Sequence, residues 1–192
     1  MAQSMCLALN HWTVMSEEHK FESLELRSEL IEGLAALEYR DMTVIQQASL
    51  PPILEGRDVV GRAKTGSGKT AAFALGALNA LDTSVLETKT LVLCPTRELA
   101  DQVTDEIRRL AKRIANVRVV ALCGGMPNRP QVKSLERGVH IVVGTPGRVL
   151  KHLLSEALDL RALEMLVLDE ADRMMDMGFS DEIDAILDHV PR

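Results

Sequence analysis

The stretch Ala63-Lys64-Thr65-Gly66-Ser67-Gly68-Lys69-Thr70 restricts what this 192-residue chain can fold into more than any other. An apolar run, 58–62, precedes it, set off by the turn residues Glu55-Gly56-Arg57, and a block of helix formers, 71–78, follows. Strand, glycine loop and helix in that order build an anion cradle. Gly66 and Gly68 can take positive φ and put no side chain in the way, so successive backbone N–H groups turn inward. The first turn of the next helix aims its unpaired N–H groups, and the positive end of its dipole, at the same place. Lys69 adds a full charge where β- and γ-phosphates would lie, and the Thr70 hydroxyl is placed to bind Mg2+. An ordinary Gly/Ser turn before a helix is the plainer alternative, but it leaves Lys69-Thr70 without a purpose.

From residue 58 on, apolar runs alternate with helical patterns. Runs at 58–62, 90–94, 117–122, 140–143 and 165–169 predict strands; 69–81, 97–114, 130–136, 146–155 and 180–189 predict helices. The runs are nearly continuous Val, Leu and Ile, the pattern of strands buried on both faces. Their alternation with helices predicts an α/β fold with a parallel sheet and right-handed crossovers. Upstream, Leu24, Leu26, Leu30, Ile31, Leu34 and Leu37 predict a helix over 23–37. Thr43 predicts the cap of a second helix through Leu50, which Pro51-Pro52 should break or restart. Residues 1–18 have no clear period and read as a leader; 81–89 reads as an exposed loop.

Composition narrows the class. Hydrophobic content of 46% supplies a packed core for one α/β domain, and with aromatics at only 3% that core must be aliphatic. A net charge of −6 argues against coating nucleic acid by bulk charge, though not against a local phosphate-binding face. Cys6, Cys94 and Cys123 have no paired spacing, which excludes a disulfide framework or metal site and points to a reducing compartment. Neither a signal segment nor a membrane span is legible, so a cytoplasmic location is expected.

Doubly wound sheets bind ligands at the carboxyl ends of their strands, and the informative residues follow the apolar runs. After 90–94 come Pro95-Thr96-Arg97-Glu98, after 117–122 Gly124-Gly125, and after 140–143 Gly144-Thr145-Pro146-Gly147-Arg148. The run 165–168 ends in Asp169-Glu170, the acid expected of a Mg2+ partner to the glycine loop. Asp169 would hold the ion opposite Thr70, and Glu170 would orient or deprotonate an attacking water. Taken alone, a solvated acidic turn explains these carboxylates equally well.

Asp169-Glu170-Ala171-Asp172 spells the motif of the DEAD-box RNA helicases, and from about Phe21 to its end the chain resembles their first RecA-like domain. Residues 63–70 are similar to motif I, Pro95-Thr96-Arg97-Glu98-Leu99 to motif Ia, Gly124-Gly125 to the GG motif, Thr145-Pro146-Gly147-Arg148 to motif Ib and 169–172 to motif II. Residues 94–103 and 172–179 look like the bacterial DbpA branch. The resemblance implies a RecA-like three-layer domain over 19–192, with a mostly parallel sheet flanked by helices. It implies ATP and Mg2+ as ligands, RNA as partner, and ATP-driven helicase activity with Lys69, Asp169, Glu170 and Asp172 as catalytic residues. It also marks a Q motif over 19–47. There Gln46 reads the adenine edge, and Phe21 and Tyr39 stand at the aromatic positions; Glu38 replaces the usual Gly and Met42 the usual Pro. Thr96 and Thr145 precede helices, Pro146 suits a first helical position, and Arg97 and Arg148 add charge there. With the close approach that Gly124, Gly125 and Gly147 allow, these motifs would form a strip for single-stranded RNA backbone.

By resemblance the family continues with a Ser-Ala-Thr strand lying between the 58–62 and 165–169 strands, then a second RecA-like domain that would be a partner of this one. The chain is expected to stop before both, to bind ATP or ADP weakly alone, and not to unwind RNA. A non-catalytic nucleotide- and RNA-binding fragment is the alternative. An unrelated P-loop kinase or transport ATPase would not predict Gln46, 95–99 and 145–148 together.

Overall fold

The structure, a computed structural model, describes residues 19–64 and 66–191. The leader 1–18, Cys6 and Thr65 lie outside the described residues. The chain divides into two compact units, one up to Ala80 and one from Leu81.

The first unit is helical. A 3-10 turn, Phe21–Ser23, leads to α1 (Ser28–Ala36), α2 (Val44–Leu54) and α3 (Lys69–Ala80). Helix α1 starts later than the leucine spacing predicts, because residues 24 to 27 lie outside the helix: the Leu26 N–H turns back to Leu24 O (2.8 Å), and the Arg27 N–H donates to Asn79 Oδ1 (2.8 Å) of α3. It buries Leu30, Gly33 and Leu34 along one face. Helix α2 runs straight through Pro51 and Pro52, against the expected break. Proline's fixed φ is itself helical, so the cost is two missing N–H donors and ring crowding. The ladder resumes at once, with Glu55 N–H donating to Pro51 O (3.1 Å) and Arg57 N–H to Pro52 O (2.9 Å). Helix α2 packs on α3, whose Ala-rich sequence is buried on most sides.

The expected strand at 58–62 does not form. Among the described residues it pairs with no strand, and Val60 is fully exposed (101%). Apolar letters make a strand only where a neighbour completes the ladder.

The second unit holds the sheet. In order come β1 (Thr90–Leu93), α4 (Arg97–Leu110) with a 3-10 turn at Ala111–Arg113, β2 (Val119–Leu122), α5 (Asn128–Glu136), β3 (Ile141–Gly144), α6 (Pro146–Leu154), β4 (Met165–Leu168), α7 (Ala171–Asp176) and α8 (Ser180–Leu187). Strand order is β2-β3-β1-β4, with every pairing parallel. The register sets Leu93 beside Gly144 and Leu168, and Leu122 beside Gly144, so the four carboxyl ends are level. Burial on both faces holds for β1 and β3, which are wholly buried. It fails for the outer strands: β2 alternates and β4 is partly open, with Leu168 exposed. Helix α4 packs on β2 and β3, α5 on β2, and α6 on α8. The loop 81–89 is pinned at both ends by buried Leu81 and Thr88. Between them Asp82 Oδ1 accepts from the Ser84 N–H (2.9 Å) and hydroxyl (2.7 Å).

Candidate nucleotide and nucleic-acid sites

In the first unit the two loop glycines take the positive φ their sequence predicts. Gly66 and Gly68 have φ of 79° and 96°, and α3 begins at Lys69. The Lys69 ammonium folds back over the loop and donates to the carbonyls of Ala63 and Lys64 (3.1 Å to the latter). Ser67 Oγ is buried without a hydrogen-bond partner. A buried orphan hydroxyl is costly, and a phosphate oxygen would satisfy it. A cation held by two carbonyls and an unsatisfied hydroxyl suit a polyphosphate.

Gln46 is not a surface glutamine: it is 1% exposed. Its Oε1 accepts from the Thr43 N–H (2.8 Å), completing a capping box at the start of α2. Its Nε2 donates to Gly68 O (3.2 Å). These two bonds leave one N–H and one lone pair of the amide unused. A Cβ on Gly68 would stand 2.6 Å from Gln46 Nε2 and 3.0 Å from Thr43 Oγ1, so glycine is what lets the loop touch α2.

The aromatic pair is assembled as well. Phe21 is buried and meets Tyr39 edge-on, with ring centroids 6.3 Å apart and planes at 75°. A bridge between Lys20 and Asp41 and a bond from the Met42 N–H to His19 O (2.7 Å) hold the two segments together. A proline at 42 could not make that bond. Glu38 has φ of 60°, so the turn keeps the left-handed backbone that the family's glycine would favour.

In the second unit the ladder carries on past the strands into the motifs. Thr145 N–H donates to Leu122 O (3.1 Å), Cys94 N–H to Gly144 O (2.9 Å) and Asp169 N–H to Leu93 O (3.0 Å). Gly144 has no room for a side chain, since a Cβ would lie 2.5 Å from Leu122 O. Across the sheet's carboxyl edge the motifs stand in the order Gly124-Gly125, Thr145–Arg148, Pro95–Arg97 and Asp169–Glu170, following the strand order. Thr96 caps α4 by accepting from the Leu99 N–H (3.3 Å). Thr145 stands at the N-cap of α6 ahead of Pro146, but its side chain makes no cap bond. No atom lies within 4 Å of a Cβ built on Gly124, Gly125 or Gly147, and all three are exposed. Packing within the protein does not demand glycine there, which leaves room for a ligand backbone.

The acid motif is polarised. Asp169 is 8% exposed, whereas Asp172 is exposed and accepts from the Arg173 N–H (3.0 Å). Glu170 sits between them in a left-handed conformation (φ 52°, ψ 49°), with its Oε2 3.2 Å from an Arg173 guanidinium nitrogen. Such backbone costs about 1–3 kcal/mol in a residue other than glycine and collects at functional sites. Carboxylate and hydroxyl are hard oxygen donors of the kind Mg2+ prefers. Cys94 and Cys123 are free and buried, and burial lifts both thiols, Cys123 to about 11, so neither is a thiolate at neutral pH.

The two arginines of the strip differ. Arg97 is exposed beside Asp101 (3.4 Å). Arg148 is half-buried and donates to Asn128 Oδ1 (3.2 Å), Gln131 Oε1 (3.3 Å) and Met126 O (3.2 Å). Gln131 and its other partner, His152, carry no motif, and sequence reading passes over them.

Comparison with known proteins identifies the family. Residues 43–192 match the family described as DEAD/DEAH box helicase. The chain is 55% identical over 159 residues to the ATP-dependent RNA helicase DbpA of Escherichia coli (strain K12), covering 83% of this chain and 35% of that protein. It is 47% identical over 174 residues to the ATP-dependent RNA helicase DeaD of Klebsiella pneumoniae, covering 91% and 27%. The crystal structure of a DEAD box protein from the hyperthermophile Methanococcus jannaschii superposes with a TM-score of 0.86 at 36% identity, covering 90% of this chain and 47% of that one. The chain therefore belongs to the DEAD/DEAH-box helicase family, and its parallel α/β sheet is RecA-like. It spans between about a quarter and a third of the length of these two curated relatives.

Proposed function

We propose that this chain is the ATP-binding part of an ATP-dependent RNA helicase, coupling ATP binding and hydrolysis to RNA binding and local duplex unwinding in RNA or ribosome metabolism. The observation that carries the reading is the carboxyl edge of the sheet, where three backbone-binding motifs stand beside Asp169-Glu170. In this reading Gln46 takes the adenine edge, with Phe21 and Tyr39 closing that end. The loop 63–70 takes the phosphates, with Lys69 leaving its two carbonyls for them. Thr70 and Asp169 would hold Mg2+, which when bound screens the phosphate charge. Glu170 is the base that positions or deprotonates water, and Asp172 completes the motif. Pro95, Thr96, Arg97, Gly124, Gly125, Thr145, Pro146, Gly147 and Arg148 form the RNA strip, whose contacts are to backbone and therefore independent of sequence. A second RecA-like domain is the partner that completes the hydrolytic site.

A cytoplasmic location fits the two free, buried thiols. No helix among the described residues is long and apolar enough to cross a membrane.

The test is titration of a fluorescent ATP analogue. Lys69→Ala removes a charge-assisted partner worth about 1.5–3 kcal/mol, so affinity should fall roughly tenfold to a hundredfold. Unchanged affinity removes the loop from the nucleotide site.

A further inference from the structure

Two buried polar side chains that the proposed function leaves unused, Gln131 and His152, sit directly behind the strip. Gln131 is 7% exposed and His152 0%. The Gln131 amide is engaged at both ends: Nε2 donates to Cys123 O (3.1 Å), and Oε1 lies 3.3 Å from an Arg148 nitrogen and 2.9 Å from His152 Nε2. Its orientation is fixed by its partners, because a carbonyl only accepts and a guanidinium only donates. Oε1 can then only accept from His152, so the imidazole carries its proton on Nε2, and the buried Nδ1 is left without a partner. The neutral form fits the site, since burial and then the Arg148 and Lys151 charges lower the His152 pKa.

These bonds converge on one loop. Cys123 immediately precedes Gly124-Gly125, and Met126, whose carbonyl Arg148 holds, immediately follows. The doublet itself has no atom within 4 Å of either missing Cβ, and Gly125 has φ of 75°. Two consecutive glycines have the most backbone freedom to lose on ordering. Here they are held from both flanks by one side chain on α5 and one on α6, and Gln131 joins the two.

We propose that Gln131, backed by His152, is a positioning residue that fixes the 124–126 loop and the 145–148 turn against each other, and so sets RNA affinity without touching RNA. This rests on the reading of those loops as the RNA strip. Arg148 acts through the same brace, as a clamp between the two loops more than as a free phosphate contact.

The test uses the whole chain with Gln131→Leu, which removes all three bonds, and Gln131→Glu, which keeps both acceptor bonds but cannot donate to Cys123 O. Anisotropy of a labelled single-stranded RNA, with a non-hydrolysable ATP analogue present, is measured across salt concentrations. Gln131→Leu should weaken RNA binding roughly tenfold or more, and Gln131→Glu by less. The slope of log affinity against log salt should match the wild type, because no phosphate contact is lost; losing one lowers it by about 0.7 on a single strand. Nucleotide affinity should stay within about twofold of wild type. Amide exchange at Gly125 and Met126 should quicken in both variants, a readout that needs no RNA. Wild-type-like RNA affinity in a folded variant, a lower slope, equal losses for nucleotide and RNA, or unchanged exchange would each overturn the proposal. A wild-type chain that binds no RNA at all instead overturns the function on which it rests.

Discussion

Gly68→Ala isolates the contact between the glycine loop and α2. Two costs add. A β-carbon in left-handed backbone costs about 1–2 kcal/mol, and φ is 96° at this position. The new methyl also meets Gln46 Nε2 at 2.6 Å and Thr43 Oγ1 at 3.0 Å. Gln46 cannot swing aside freely, because it is buried and tied to both Thr43 N and Gly68 O. Displacing it loses a hydrogen bond worth about 0.5–1.5 kcal/mol and adds packing strain of about 1–3 kcal/mol. Together these come to roughly 2.5–6.5 kcal/mol. Gly66→Ala is the internal control, with φ of 79° and no neighbour within 4 Å, so it should cost only the dihedral strain. Urea denaturation of both variants gives the difference, and Gly68→Ala should be worse by more than about 1 kcal/mol. In a Gln46→Ala background the excess should shrink, because the nearest obstructing atom, Gln46 Nε2, is gone and only Thr43 Oγ1 remains. Equal costs at the two glycines, or no relief from Gln46→Ala, would refute the packing argument.

Other outcomes follow from single features. Glu38→Gly should stabilise the fold by a few tenths to about 1 kcal/mol in urea, because it relieves a φ of 60°; a loss of stability would show that the turn is unstrained. His140 and His152 are both buried with lowered pKa values, chiefly through desolvation. Their folded pKa lies below the unfolded value of 6.5, so the unfolded chain binds more protons as pH falls. Stability from these two groups is thus complete above pH 6.5 and declines below it, which urea midpoints between pH 7.5 and 5.5 should show at about 25 °C. Glu170→Gln in the complete protein should leave ATP affinity within about threefold and cut hydrolysis at least about a hundredfold in a steady-state phosphate-release assay; retained turnover would remove Glu170 as base.

Most of the architecture was legible because it rests on local period. Four of the five apolar runs became parallel strands in one sheet, with ends displaced by a residue or two. The run 58–62 was misread because pairing depends on a neighbour that its own letters do not contain. Pro51-Pro52 was misread because proline's φ suits a helix and only its bonding opposes one. Helix α7, Ala171–Asp176, is too short to show a period. In the candidate sites, motif spelling marks positions but says nothing of their state. Nothing in the letters says that Gln46 is buried or that Lys69 folds onto its own loop. Gln131 and His152 were silent because they lie on different helices and meet only through the fold.

The central claim is that Lys69, Thr70 and the Asp169-Glu170 pair serve one Mg2+–nucleotide. A double-mutant cycle on Thr70→Ala and Asp169→Asn, read as Mg2+-dependent nucleotide affinity, tests it most directly. If both groups hold one ion, removing the second after the first should cost little, giving a coupling of about 1 kcal/mol or more. If the two losses add within about 0.5 kcal/mol, the groups act independently and the claim is contradicted.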